Sequence, residues 1–178
     1  MNRTVTLTDE KGSSLGEMEL LKAHTNGGSL HRAMSVYIFD ADTTMILLQK
    51  RSLEKLLFAG IWANTCCSHP FPHESAKDAG ERRLIEEMGF GCSLTEGPAF
   101  VYRADDPRGN GTEHEYDSIL TGMSDPTLPI EPDPREVADW KWVHLDELSL
   151  DMKKNPSMYA PWFHIGLPLA LSAVSHGK

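Results

Sequence analysis

Apolar positions along the chain change period several times, and the changes mark out elements. Residues 33–39 and 45–49 are short β-rich runs on either side of Asp40-Ala41-Asp42, which predicts a hairpin. Residues 61–68, 99–103, 113–121 and 140–143 read as further strands. Turn-forming clusters punctuate them at Asn26-Gly27-Gly28, 70–72, 105–111 and 125–134. From Glu74 to Met88 the period lengthens to that of a helix. Ala76, Gly80, Leu84 and Met88 recur every four positions, Ala79 and Ile85 widen the stripe, and Gly89 supplies a stop. A shorter helix is expected to start near Asp146, and another to run from Pro161 towards Ser175. There is no internal repeat. Several strands with a few helices in irregular order predict an α+β fold, a mixed sheet sandwiched by helices, as a single domain over residues 1–178.

The composition narrows the function. The chain has 178 residues, 40% hydrophobic and 24% charged, which is ordinary for a globular protein. Its net charge of −9 makes nucleic acid and anionic membrane surfaces poor partners, since both reward basic surfaces. The most apolar stretch, residues 159–174, is broken by Pro161, His164 and Pro168 and is too short to span a bilayer. The N-terminus lacks the apolar core of a secretory signal. Three cysteines, Cys66, Cys67 and Cys92, form no disulfide framework, so a cytoplasmic protein with reduced thiols is expected.

Four groups of residues carry chemistry. His24 and His31 bracket a glycine-rich turn and could converge on a metal, although two capping histidines are the commoner outcome. Asn64-Thr65-Cys66-Cys67-Ser68-His69-Pro70 ends a strand; alternation puts Thr65, Cys67 and His69 on one face, a thiol beside an imidazole. A buried cysteine and a turn histidine would read the same. In Glu113-His114-Glu115 the two carboxylates share a strand face, roughly 7 Å apart along the backbone, with His114 pointing away. Such a pair repels unless a cation lies between or one member holds a proton; a solvated acidic edge is the bland alternative. In the helix, Arg82 and Glu86, like Arg83 and Glu87, stand one turn apart, either as exposed ion pairs contributing at most about 0.5 kcal/mol each or as a helix offering a carboxylate to Mg²⁺ and a guanidinium to phosphate.

Glu74-x7-Arg82-Arg83-Leu84-Ile85-Glu86-Glu87-Met88-Gly89-Phe90 resembles a modified Nudix box, G-x5-E-x7-R-E-U-x-E-E-x-G-U. Arg83 stands in place of its first helical Glu and Ser68 in place of its first Gly. The rest of the chain is similar to type 1 isopentenyl-diphosphate delta-isomerases, in His24-Thr25, Leu30-His31-Arg32-Ala33, Gln49-Lys50-Arg51, residues 64–70, Tyr102-Arg103-Ala104, Asp106-Pro107, residues 113–115 and Ala160-Pro161-Trp162. The match spans about residues 5–165, and its strength lies in the joint order and spacing of these motifs.

The resemblance implies a Nudix-like fold and an isomerase that interconverts isopentenyl and dimethylallyl diphosphate in isoprenoid biosynthesis. It implies a metal (Mn²⁺, Zn²⁺ or Mg²⁺) on His24, His31, His69, Glu113 and Glu115. Catalytic roles fall on Cys67 and Glu115, with Tyr102 assisting the glutamate. Glu87 and the Cys67 backbone carbonyl would hold a Mg²⁺ that travels with the diphosphate. Arg51, Lys55 and Arg83 match diphosphate-binding cations, and Trp162 an aromatic near the hydrocarbon. The family's lysine before the first histidine sits in a different register here, and Lys22 is carried over as its counterpart. The expected partner is a small allylic or homoallylic diphosphate, and a monomer is expected. A Nudix diphosphate hydrolase is the alternative, set apart by Arg83 and Cys67; a silent metal-binding module is a third.

The implied reaction adds a proton at one carbon and removes one from another, through a tertiary carbocation-like state. A cysteine's ordinary pKa of about 8.5 needs only a modest shift to exchange protons near neutrality. The face of Trp162 would attract the cation, by up to about 2 kcal/mol when desolvated. Because enzyme and substrate are both anionic, attraction has to come from a local patch of cations.

Overall fold

The computed structural model describes residues 3–176. Its centre is β3 (His31–Phe39), whose continuous apolar run suits a strand covered on both faces. One edge of β3 pairs in parallel with β8 (Thr112–Met123) over nine rungs, from His31↔Glu115 to Phe39↔Met123. The other edge is shared along its length. β1 (Thr4–Thr8) meets it at His31, β6 (Cys66–Ser68) at residues 34–36, and β4 (Met45–Arg51) at Ile38 and Phe39. β2 (Ser14–Glu19) extends the sheet beyond β1, and β7 (Thr95–Asp105) lies antiparallel beyond β8. β4 carries β5 (Trp62–Ala63) and β9 (Val137–His144) away as a second arm.

Alternation along these strands sorts side chains into two layers. Met34, Val36, Ile38, Cys66 and Leu120 pack against α2 (Ala76–Met88). Tyr37, Phe39, Ile119 and Tyr102 face α4 (Pro161–His176), with Phe163 and Ala170 among them. Gly80 lets α2 press against the sheet, because a methyl there would run into Leu120 and come within 2.9 Å of Leu94. Gly166 does the same for α4, where a methyl would run into Tyr37 and come within 3.4 Å of Phe100. A single turn, α1 (Leu20–Ala23), precedes His24, and α3 (Leu145–Lys154) follows β9.

The sheet flanked by helices, the β3–β4 hairpin and the Gly89 stop agree with the sequence reading; Gly89 adopts φ 75° and donates to the Ile85 carbonyl at 3.1 Å. Three details differ. The helix starts at Ala76, capped by Ser75, which accepts from the Asp78 N–H at 3.0 Å, and Glu74 lies before it. Ile85 is 59% exposed, while Glu87, on the opposite side of the helix, is fully buried. The run 61–68 is two strands rather than one, broken at Asn64-Thr65. Thr65 there leaves the Cys67 face to accept from the Ile38 N–H and donate to the Leu47 carbonyl.

Candidate active site

Strand register gathers the candidate residues. The His31↔Glu115 rung sets an imidazole beside a carboxylate, and the Tyr102↔Glu115 rung adds a phenol from β7. Ser35↔Cys67 places the thiol on the same face, across β3 from Glu115. Glu115, Tyr102 and Cys67, together with Leu20, Leu56, Leu57 and Trp162, line a cavity of about 180 Å³.

At one end three imidazoles meet. The ring centres of His24, His31 and His69 are 4.9–5.5 Å apart. His24 and His31 donate from Nδ1 to the carbonyls of Thr112 (3.1 Å) and Ser29 (2.7 Å), which turns their Nε2 atoms inward. His69 Nε2 lies 2.8 Å from Glu115 Oε1, and His24 Nδ1 lies 3.2 Å from Glu113 Oε2. Ligand atoms of His24, His31 and His69, and those of His69, Glu113 and Glu115, lie within 4.8 Å of one another. His31 Nε2 and Glu113 Oε2 are buried without a hydrogen-bond partner. Orphaned inward-facing donor atoms on hard oxygens and imidazoles fit a divalent cation.

The two buried glutamates differ. Burial and the Glu115 charge push Glu113 well up. Burial opposes ionisation of Glu115 too, but hydrogen bonds and charge from His69 outweigh it and keep it low. Burial drives His69 down to about 3. Tyr102 donates to Glu115 Oε2 at 2.5 Å.

At the other end the Cys67 thiol donates to Asn64 Oδ1 at 2.9 Å. The Trp162 indole N–H is shared between Asn64 Oδ1 (3.0 Å) and Cys67 Sγ (3.1 Å). Asn64 is locked because its amide donates to the Val36 and Cys66 carbonyls. Burial pushes the thiol up to about 12, against the pull of Arg51. The sequence expectation of easy proton exchange near neutrality is therefore corrected. The resting group is a thiol, because the apolar wall disfavours the thiolate more than one guanidinium favours it.

Of the expected cations, Arg51 and Lys55 line the cavity. Arg51 donates to the Leu57 and Phe58 carbonyls and stacks 5.3 Å from the Trp162 ring. Lys55 is paired with Glu136. Asp106, at the start of the 105–111 loop, accepts the Phe58 N–H at 2.7 Å and so steadies the segment bearing these cations.

A model of the NUDIX domain matches residues 29–163. Over 176 residues the chain is 42% identical to isopentenyl-diphosphate Delta-isomerase 2 of Aromatoleum aromaticum, covering 98% of this chain and 90% of that protein. Over 169 residues it is 43% identical to the isopentenyl-diphosphate Delta-isomerase of Nocardia farcinica, covering 95% of each. The chain belongs to the isopentenyl-diphosphate Delta-isomerase family. Its fold is also that of the Deinococcus radiodurans protein DR0079, with TM-score 0.68 at 14% identity over 86% of this chain and 90% of that one.

Four candidate residues of this isomerase-family chain, Lys22, His31, Arg83 and Glu87, are not among those lining the cavity. The Lys22 side chain is 73% exposed, 3.6 Å from Glu19, because the single turn of α1 points it outwards. Arg83, on α2, is not among the lining residues and binds Glu86 (2.8 Å), Glu87 (2.5 Å) and Glu136 (2.9 Å), the last of which is also the partner of cavity-lining Lys55. The Arg83–Glu87 pair is thus buried, not an exposed helix-surface pair. Glu87 keeps one buried oxygen, Oε2, without a partner. Asn64, Asp106 and Glu136 had no role in the sequence reading. A buried asparagine beside a cysteine was the one available signal for Asn64, whereas Asp106 and Glu136 depend on contacts distant in sequence.

Proposed function

We propose that the protein isomerises isopentenyl diphosphate to dimethylallyl diphosphate by proton transfers from two walls of one cavity, Cys67 on one and Glu115 with Tyr102 on the other. The observation that carries this reading is the Cys67–Asn64–Trp162 hydrogen-bond cluster sharing a cavity with the Tyr102–Glu115 pair.

His24, His31, His69, Glu113 and Glu115 would hold a divalent cation, Mn²⁺, Zn²⁺ or Mg²⁺; Glu87 and the Cys67 carbonyl would hold Mg²⁺ with the diphosphate. When bound, such a cation supplies positive charge that keeps both glutamates ionised side by side. Tyr102 holds a proton at Glu115 Oε2, ready to be passed to or accepted from the hydrocarbon. The Cys67 thiol holds its proton firmly at rest. The Trp162 N–H supports the sulfur as negative charge develops on it while that proton is given up. Because the reaction runs both ways, each wall acts as acid in one direction and base in the other. Leu56, Leu57 and the rings of Phe58 and Trp162 exclude water that would quench a carbocation. Arg51 and Lys55 anchor the charged tail. The hydrolase alternative is weaker, since Arg83 already bonds two carboxylates of the box, Glu86 and Glu87.

Incubation with isopentenyl diphosphate in D₂O tests this. Deuterium is expected in the allylic product, with Cys67→Ala and Glu115→Gln each lowering kcat by about 10²-fold or more. Release of phosphate or pyrophosphate, or an allylic product free of deuterium, would overturn the reading.

A further inference from the structure

The cavity contains a cation that the sequence motifs do not include. Arg3, just before β1, lines it between Leu20 and Ser68. The Leu20 N–H donates to the Arg3 carbonyl at 2.8 Å, which fixes the strand edge so that residue 3 faces inwards. Its Nη2 donates to Ser68 Oγ (2.8 Å) and to the His69 carbonyl (2.9 Å), and its guanidinium lies 5.7 Å from the centre of the Phe71 ring. Its Nε is buried with no hydrogen-bond partner.

The charges around the cavity single Arg3 out. Lys55 is paired with Glu136, and Arg83 is bonded to three carboxylates, Glu136 among them. Among the described residues, Arg3 and Arg51 are the cavity-lining cations that form no ion pair with a carboxylate. Burial lowers the Arg3 pKa, and the charges of Arg83 and Arg82 lower it further, so its surroundings under-compensate a positive charge. An unpaired guanidinium with a free N–H beside a serine hydroxyl is a recognition element for phosphate oxygens. An anionic substrate entering a protein of net charge −9 needs such local charge.

We propose that Arg3 is a substrate-positioning residue that binds the diphosphate beside Arg51 and Lys55. This rests on the diphosphate reading above.

Binding of magnesium pyrophosphate, measured by calorimetry, and steady-state kinetics on isopentenyl diphosphate test it together. Arg3→Gln is expected to raise both the pyrophosphate Kd and the KM about tenfold or more, leaving kcat within about threefold. Lys22→Gln should change none of them. Arg3→Lys keeps the charge but not the planar fork, and should raise Kd by a smaller factor of about three or more; it decides the matter if Arg3→Gln fails to fold. An unchanged Kd in either Arg3 variant overturns the proposal. So does a fall in kcat with Kd and KM unchanged, which would make Arg3 only a brace for β6. If the wild type fails to turn over isopentenyl diphosphate while Arg3→Gln still weakens pyrophosphate binding, the isomerase reading falls and the Arg3 site stands.

Discussion

Trp162 does two things that substitution can separate. It is 2% exposed, meets Phe58 edge-on at 5.4 Å and Tyr102 at 5.9 Å, and shares its N–H between Asn64 and Cys67. Trp162→Phe removes the N–H but keeps an aromatic face. Trp162→Leu removes both. The lost hydrogen bond costs each variant about 0.5–1.5 kcal/mol, and that loss cancels when the two are compared. What remains is the ring face. Its attraction for a desolvated cation is about 0.5–2 kcal/mol. If that cation exists only at the top of the barrier, the whole difference appears in kcat, as a factor of about 2 to 30. Initial rates at saturating isopentenyl diphosphate, taken well below the melting temperature of both variants, are therefore expected to be lower for Leu than for Phe within that range. Urea unfolding of each variant checks that both are fully folded at the assay temperature. Equal kcat values in the two folded variants would show that the ring merely anchors α4, and would refute stabilisation of a carbocation by Trp162.

Chelation with EDTA should abolish turnover, and readdition of Mn²⁺ or Mg²⁺ should restore it; a metal-free sample with normal activity would remove the His/Glu centre from the mechanism. Gly166→Ala should cost about 1–3 kcal/mol by driving a methyl into Tyr37, a fall of several degrees in Tm. Because the Tyr37 hydroxyl has no hydrogen-bond partner, adding Tyr37→Phe should recover much of the loss, and a Tm unmoved by Gly166→Ala would refute the close-packing account. For Glu136, burial would raise the carboxyl, but Lys55 and Arg83 outweigh it and hold it at about 2 against an ordinary 4.5. A carboxylate depressed by folding stabilises above its unfolded pKa and loses that contribution as pH falls through the folded value. Urea midpoints of wild type and Glu136→Gln should differ most above pH 5 and converge as pH falls towards 2; a constant difference would count against the ion pairs.

What the sequence made legible is what local periodicity encodes. The four-residue stripe of α2 and the alternation of Glu113 with Glu115 are properties of short segments, and both hold. Ile85 and Glu87 exchange places because residue type pointed one way and helix geometry the other: Glu87 stands in the middle of the buried stripe and Ile85 opposite it. The N-terminal hairpin escaped notice because β2 is exposed along most of its length and carries no apolar pattern. The placement of cations was least legible. Lys22 stands two residues from His24 in the chain, yet a single helical turn aims it at solvent, while Arg3 reaches Ser68 only because β1 folds back along β3. The direction of the Cys67 shift was likewise hidden, since it depends on burial beneath Trp162 rather than on neighbours in sequence.

The parallel ladder of nine rungs from His31↔Glu115 to Phe39↔Met123 makes everything strung between those two strands a detour that returns to a fixed point. Loops on that detour, such as 105–111, can grow, shrink or change character while the imidazole and carboxylate stay abreast. A single residue gained or lost inside either strand turns over every side chain beyond it, presenting Tyr116 where Glu115 belongs. Natural variation in this architecture is therefore expected to accumulate in its excursions, remodelling the entrance for differently shaped guests while the chemistry at the centre stays in step.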